Sequence, residues 1–390
     1  MLILFGKIEI YLFDALVKLL DKWSLRVHFN IALIECRFFG HAALEPEVVA
    51  IMKNSAQHSE KPREIFLLSL PLRTPKNTRK LIGMRKRCFN WVPTFVVTRL
   101  AMSQVRQGIE PVSIKSYGYH GLNRLTTVPQ SLSVQTTTLA RILHATHPVG
   151  QIKQPFVTLS LREPKIHNLH DPFRDRKQED FVDSVTSLAD LGVNVVRMGR
   201  DSTEKLPLLE AQSNFYDYAS ARTHRLSLEL EFARKSLFCL SSLTGFDALC
   251  LALRQPVFYP DVARIWYLFL GTELTYFSLP TFLDSRSRTP LCLTELIERG
   301  WVRFKNPEEF EAAHIHVQFA RPDEVADYVT SMAKEMLGLI SRTDAHQAVQ
   351  DRFFELLMRN EPRTILERHG TPRANLNIAY LEKMGSKFVA

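Results

Sequence analysis

The chain has 390 residues, 45% hydrophobic and 23% charged, with 15 Gly and 20 Pro. At about 100–200 residues per domain this makes two domains, or three at most, and it excludes disordered, collagen-like and low-complexity classes. Lys and Arg outnumber Asp and Glu by 50 to 41, a net charge of +9 that permits an acidic partner without identifying one.

From Ile8 to Leu20 apolar positions recur near helical spacing, interrupted by Glu9, Asp14 and Lys18. This predicts an amphipathic helix, docked on the protein's own core in preference to a membrane surface. It is too charged to span a bilayer and lacks a signal-peptide cleavage pattern. RVHFNIALIEC then reads as a strand, ALEPEVVAIMKNSA as a helix and EIFLLSL (64–70) as a second strand. NTRKLIGMRKRC follows as a helix and WVPTFVVTRL (91–100) as a third strand. Strand–helix alternation of this kind predicts an α/β domain with a parallel sheet. Residues 113–138 read as loop, and HPVGQIKQP (147–155) is the linker candidate.

A second alternation begins at once. FVTLSLRE is a buried strand, EDFVDSVTSLADLG a helix closed by Gly192, and VNVVRMG the next strand. A polar segment surrounds Asp217, and a helix runs to about Lys235. SLFCLSS is a strand, GFDALCLALRQ a helix and PVFYPDV a strand. The last stretch, including PDEVADYVTSMAKEMLGLI and AHQAVQDRFFELLMRN, is helical in pattern. Ligands of open parallel sheets sit beyond the carboxyl ends of the strands, so the loops after FNIALIEC, FVTLSL, NVVRMG and FCLSS are the ones to inspect. The five cysteines lie far apart with no CxxC pair and read as reduced structural residues of a cytosolic protein.

In SSLTGFDALC a buried strand runs into Ser242, Thr244 and Gly245 and a helix starts immediately. Unpaired N–H groups and the positive dipole end suit a phosphate oxygen there, with an ordinary Ser/Thr cap as the alternative. Arg162 in TLSLREP falls at a strand end, where its planar fork either holds a diphosphate or pairs with a carboxylate. Arg197 in VVRMGRD has the same kind of placement, and Asp217 in NFYDYASAR sits between two tyrosines. In RFFGHAALEPE, which also offers Glu45, His41 follows a glycine at a strand-to-helix turn and is a candidate base, a packed or capping histidine being the alternative. HNLHD offers metal-compatible residues without a diagnostic spacing, and His314 and His316 read as one face of a short strand. GxxxxGK[ST], GxGxxG and GxSxG are all missing, which disfavours P-loop NTPases, Rossmann dehydrogenases and ordinary α/β-hydrolases.

Several of these segments carry a resemblance. FFGHAALEPE is similar to a "GHLALN-E" turn, NTRKLIGMRKR to "NKQLLKMWKR", and FVTLSLREP to a strand ending in "HVRDP". FRDRKQEDFVDSVTSLADLGVNVVRMG, YDYASAR, CLSSLTGFDALCLALRQPV, PLCLTELIERG and PDEVADYVTSMAKEML also follow the pattern. The chain thereby resembles, from about Arg37 to Leu339, a family of predicted bacterial glycosyltransferases from surface-polysaccharide gene clusters. It departs from that pattern at Ser160, where the family has His, at Glu163 for Asp, at Asp175 for Asn and at Thr244 for Ser.

The resemblance implies a GT-B-like α/β fold, two Rossmann-like domains facing each other across a cleft. The expected units are residues 1–148 on the acceptor side, 149–340 on the nucleotide-sugar side and 341–390 as a helical segment packing back on the first. It implies transfer of a sugar from a nucleotide-sugar to a glycan or lipid-linked acceptor, without a metal site or cofactor. Arg162, Arg197, Asp217, Ser242, Thr244 and Gly245 would bind the donor, and His41, with Glu45 in reserve, would activate the acceptor. The alternatives are a sugar-nucleotide epimerase or hydrolase of like fold and a non-catalytic subunit of a polysaccharide assembly. Residues 61–90 carry nine cations, among them Arg79, Lys80, Arg85, Lys86 and Arg87, against Glu64 alone. This cluster is the expected contact for an anionic acceptor or the inner face of a membrane, with a solvated helix face as the alternative. No nucleic-acid partner is expected.

Overall fold

In a computed structural model, the described residues are 28–32, 43–49, 64–70, 90–93, 155–162, 171–199, 205–220 and 224–388, with single positions at 81, 122, 125, 126 and 152. The early strands are β1 (His28–Ala32), β2 (Glu64–Leu70) and β3 (Asn90–Pro93), paired in parallel in that order. Residues 43–49, α1, are helical and buried between β1 and β2 in sequence. Parallel neighbours cannot be joined by a hairpin, so a crossover here matches the strand–helix alternation. The amphipathic helix over Ile8–Leu20 and the loop over 113–138 lie largely or wholly outside the described residues.

The main sheet has seven parallel strands. They are β4 (Phe156–Ser160), β5 (Asn194–Met198), β6 (Phe215–Asp217), β7 (Cys239–Ser241), β8 (Val257–Tyr259), β9 (Thr275–Phe277) and a late strand, β12 (Asn375–Leu376). Their order is β12-β9-β8-β7-β4-β5-β6. Every residue of β4 is buried, as a central strand covered on both faces requires. β4 pairs with β5 on one side and β7 on the other, so the chain winds outward through β5 and β6, then returns to the centre and winds the other way.

The connecting helices are α2 (Val182–Asp190), α3 (Pro207–Glu210), α4 (Leu226–Lys235) and α5 (Gly245–Ala252). α2 ends where Gly192 takes φ +69°, the left-handed stop that its position predicts. A smaller antiparallel pair, β10 (Thr281–Asp284) and β11 (Ile315–Gln318), is bridged by α6 (Leu293–Glu298) and α7 (Pro307–Ala312). The predicted PDEVADYV helix is α8 (Pro322–Met336), which packs on α2.

Residues 341–388 correct one expectation. They form α9 (Asp344–Asn360), α10 (Pro362–His369), β12 and α11 (Ile378–Phe388). β12 adds to the edge of the main sheet beside β9, and α11 packs on α8 and α9. The segment is therefore built into the second unit, because backbone pairing at an open sheet edge and the apolar faces of α8 and α11 hold it there. β6, β9 and β12 are only two or three residues long, too short for an alternation to register in sequence.

Two contacts reach the earlier residues. Glu47 of α1, fully buried, pairs with Arg254 just after α5 at 3.1 Å, and Thr126 donates to Glu273 at 2.8 Å. Gly271 lies where a Cβ would stand 2.3 Å from the His369 carbonyl oxygen and 3.5 Å from Leu122. Backbone on one side leaves nothing to yield. Gly271→Ala is expected to cost about 1–3 kcal/mol, read as a lower midpoint in urea unfolding with an unchanged m-value.

Candidate functional site

The reversal of winding falls between β4 and β7. In a doubly wound sheet this is where the helices leave on opposite faces and a crevice opens beyond the carboxyl ends of the strands. The two strand ends are laced together. Ser242 N donates to Ser160 O at 3.1 Å, and Arg162 N donates to Ser242 Oγ at 2.8 Å. The Ser160 and Thr244 hydroxyls are 2.7 Å apart, joining the end of β4 to the start of α5.

Thr244 caps α5. Its backbone is extended and its Oγ1 accepts from Phe246 N at 3.3 Å, while Thr244 N donates to Ser241 Oγ at the same distance. Thr244 is half-buried and Gly245 exposed, so the first turn of α5 opens to the crevice with its dipole. The ordinary capping role and an anion-facing helix end thus coexist at one residue. Leu243, between Ser242 and Thr244, has φ +61°, a left-handed conformation that costs a Cβ-bearing residue about 1–2 kcal/mol. Its carbonyl accepts a hydrogen bond from Arg174.

Around this turn stands a network of arginines and aspartates. Arg162, 8% exposed, donates from Nη1 to Asp175 Oδ1 at 2.7 Å. Asp175 Oδ2 accepts from Asp171 N at 2.6 Å. The Asp171 carboxylate accepts from Arg264 Nη2 through both oxygens, at 2.7 and 2.5 Å. Arg264 in turn donates from Nη1 to Lys305 O at 2.6 Å. The strand end at Arg162, the 171–176 loop and the segment after β8 are thereby tied together by alternating charge. Arg176 extends the same loop to Asp180 at 2.9 Å and to buried Asp261 at 3.3 Å.

Beneath the turn, Asp247 of α5 is 2% exposed. Burial pushes its carboxyl up to about 6, against hydrogen bonds from Ser241 Oγ at 3.0 Å and Ala248 N at 2.6 Å and the nearby Arg174 charge. Tyr259, also buried, is raised well above its usual range by burial and by the Asp247 charge.

The structure gathers Arg162, Ser242, Thr244 and Gly245 at the winding reversal. Arg197 and Asp217 are elsewhere. Arg197 lies within β5 opposite Leu159, 1% exposed, and its Nη1 donates to Asp217 Oδ2 at 3.0 Å. Asp217 also accepts from Ser220 N at 3.1 Å. Arg197 thus meets a carboxylate, as Arg162 does. Its charge is answered inside the sheet, between β5 and β6. Glu45 is buried in α1 at 3% exposure. His41, Arg79, Lys80, Arg85, Lys86 and Arg87 lie outside the described residues. Asp171 of the HNLHD motif is engaged by Arg264, and His167 and His170 fall outside the described residues. His314 precedes β11 with φ +55° and its ring stands 2.6 Å from Arg286 Nη2, while His316 is an exposed residue within the strand, so the two do not share a strand face.

Sequence reasoning missed Ser160, Asp171, Arg174, Asp247 and Arg264 as members of this site. The alternating charges of HDPFRDRKQED were the available signal, since a run of that kind in a loop next to a strand end implies partners elsewhere. Among the described residues no helix is long and apolar enough to cross a membrane.

No protein-family model matches the chain, and no curated protein sequence matches it. Solved structures are similar only in outline. ADP-heptose LPS heptosyltransferase II of E. coli superposes with a TM-score of 0.42 at 12% identity, over 73% of this chain and 98% of that one. E. coli heptosyltransferase WaaC with ADP gives 0.33 at 12% identity, over 60% and 87%. UDP-GlcNAc 2-epimerase of Neisseria meningitidis bound to UDP-GlcNAc gives 0.35 at 10%, over 80% and 100%. Superpositions this loose carry no residue correspondence.

The carboxyl of Asp247 makes stability depend on pH with a definite sign. Its folded pKa of about 6 lies above the ordinary 3.8, so the native state holds the extra proton between these values. Its contribution to stability is therefore full below the ordinary value and is lost as pH rises through 6, by about 3 kcal/mol for the full shift. Asp247→Asn, which keeps an acceptor for Ala248 N, is expected to flatten the unfolding free energy between pH 4 and 7 by that amount. An unchanged pH profile in urea titrations of the variant would contradict this.

Proposed function

We propose that the chain is a GT-B-type glycosyltransferase that moves a sugar from a nucleotide-sugar donor to a glycan or lipid-linked acceptor. The observation that carries the reading is the crevice at the winding reversal. There a capped helix start, the Ser160, Ser242 and Thr244 hydroxyls and the Arg162 guanidinium converge. Backbone N–H groups at the first turn of α5 and a planar guanidinium are complementary to phosphate oxygens. As the glycosidic bond to the donor breaks, negative charge collects on the leaving diphosphate. Donors already fixed around that position stabilise it with little reorganisation.

In this reading Thr244 and Ser242 hold phosphate oxygens through their hydroxyls and the adjacent N–H groups. Arg162 supplies charge, its orientation fixed by Asp175. Gly245 keeps the mouth free of a side chain. The acceptor enters from the side of the first unit, and His41, with Glu45 in reserve, takes its proton if the reaction inverts configuration. The basic residues Arg79, Lys80, Arg85, Lys86 and Arg87 provide the surface for an anionic acceptor or for the inner face of a membrane.

A thermal-shift screen against ADP, GDP, UDP, TDP and CMP and their sugars tests the donor assignment. A nucleotide at about 100 times its dissociation constant is expected to stabilise the fold by about 2.7 kcal/mol. Thr244→Val is expected to weaken that nucleotide by about tenfold and to lower stability by about 1 kcal/mol through loss of the cap. No shift with any nucleotide would refute the reading. Rapid donor turnover without any acceptor would instead indicate a hydrolase or an epimerase using the same crevice.

A further inference from the structure

The charge least well answered in the crevice belongs to Arg174. Its Nη2 donates to the Leu243 carbonyl, at the centre of the turn between Ser242 and Thr244. Its Nε is buried with no hydrogen-bond partner. The carboxylate of Asp171 stands 4.0 Å from Nη1, beyond hydrogen-bond distance, and both of its oxygens already accept from Arg264. Asp247, the other acidic group acting on Arg174, accepts from Ser241 and Ala248 instead.

The neighbouring cations each meet a carboxylate at hydrogen-bond distance, although Arg264 Nε is also buried without a partner. Arg162 is closed onto Asp175 at 2.7 Å, and Arg264 onto Asp171. Burial, and then the like charge of Arg162, lower the Arg174 pKa from its ordinary value, although an arginine stays protonated at neutral pH. Its side chain keeps 25% of its surface exposed, whereas those of Arg162 and Arg264 keep 7% and 4%. Tyr267 lies under the guanidinium, with the Cζ 5.8 Å from the ring centroid. Arg174 is therefore fixed to the phosphate-facing turn by one N–H, oriented by a ring, and left with an Nη1 group that no acceptor among the described residues engages by a hydrogen bond.

We propose that Arg174 is a second anion-binding residue of this crevice, using its Nη1 to hold the further phosphate of a diphosphate and so to favour nucleoside diphosphates over monophosphates. This rests on the reading of the crevice as a donor-diphosphate site. Arg162 and the start of α5 then serve one phosphate, and Arg174, anchored on the Leu243 carbonyl, serves the other. Asp171 and Arg264 act as positioning residues that hold the 171–176 loop against the turn.

Isothermal titration of wild type, Arg174→Gln and Arg174→Lys tests it, using whichever nucleoside diphosphate among ADP, GDP, UDP and TDP binds wild type, and its monophosphate. Arg174→Gln is expected to weaken the diphosphate by about tenfold or more while changing the monophosphate by less than about threefold. Arg174→Lys is expected to recover part of the loss, since it keeps the charge and loses the planar fork. If Arg174→Gln does not fold, the lysine variant decides by the same ratio. Wild-type binding with an unchanged diphosphate-to-monophosphate ratio in the variants overturns the proposal and leaves the donor site standing. An equal loss for both ligands also overturns it, since it would assign Arg174 only to support of the turn. Failure of wild type to bind any diphosphate removes the donor reading itself.

Discussion

The parallel pairing of β4 with both β5 and β7 is the constraint on which the rest of this molecule depends. A strand flanked on both sides by later strands forces the chain to return across the sheet. The return leaves the turns after β4 and β7 side by side with helices departing to opposite faces. Every polar feature of the candidate site follows from that juxtaposition. Ser160 and Thr244 are 84 residues apart in the chain yet share a 2.7 Å contact. The same pairing buries all of β4 and makes it the axis of the hydrophobic core.

Charge placement around the crevice follows a simple rule, and Arg174 is the departure from it. Buried ions are tolerated when they are closely paired and their hydrogen bonds are met. Arg162 with Asp175, Arg264 with Asp171, and Arg197 with Asp217 are each closely paired, although Arg264 Nε is left without a hydrogen bond. The first two pairs are joined by the Asp171 amide reaching the Asp175 carboxylate, so a loop with no regular structure is fixed at a strand end. Arg174 sits in that same loop without a comparable partner. An ion pair of the ordinary kind rigidifies, whereas an underpaired guanidinium facing a helix start is an acceptor's complement.

Much of the second unit is legible in the residues because each element states itself locally. FVTLS and NVVRM are unbroken apolar runs, which is what strands covered on both faces require, and Gly192 marks the end of α2. LTGFDALC announces a capped helix after a strand, and Thr244 does cap it. The short edge strands carry no such statement. β6 and β12 exist because a neighbouring strand offers unpaired backbone groups, a cause located in the neighbour and not in FYD or NL. The pairing of Arg197 with Asp217 is hidden for a related reason. Strand periodicity shows that Arg197 lies near a carboxyl edge but not that Asp217 waits on the adjacent strand.

The sequence by itself determined the alternation of strands and helices, the capped turn at Ser242–Gly245 and the position of Arg162 at a strand end. These depend on side-chain chemistry within a few residues of each position, so they are written in the local order of the chain. The tertiary structure decided which strands are neighbours, and with that which charges meet. It assigned Arg197 to Asp217, Arg162 to Asp175 and Asp171 to Arg264, left Arg174 beside the turn, buried Asp247 beneath it, and carried residues 341–388 to the edge of the main sheet. Pairings of this kind are set by sheet order and burial, quantities that exist only once distant segments have come together. The modest surplus of +9 identifies no partner on its own, because it lies almost wholly in residues 61–90, apart from the charge pairs around the crevice.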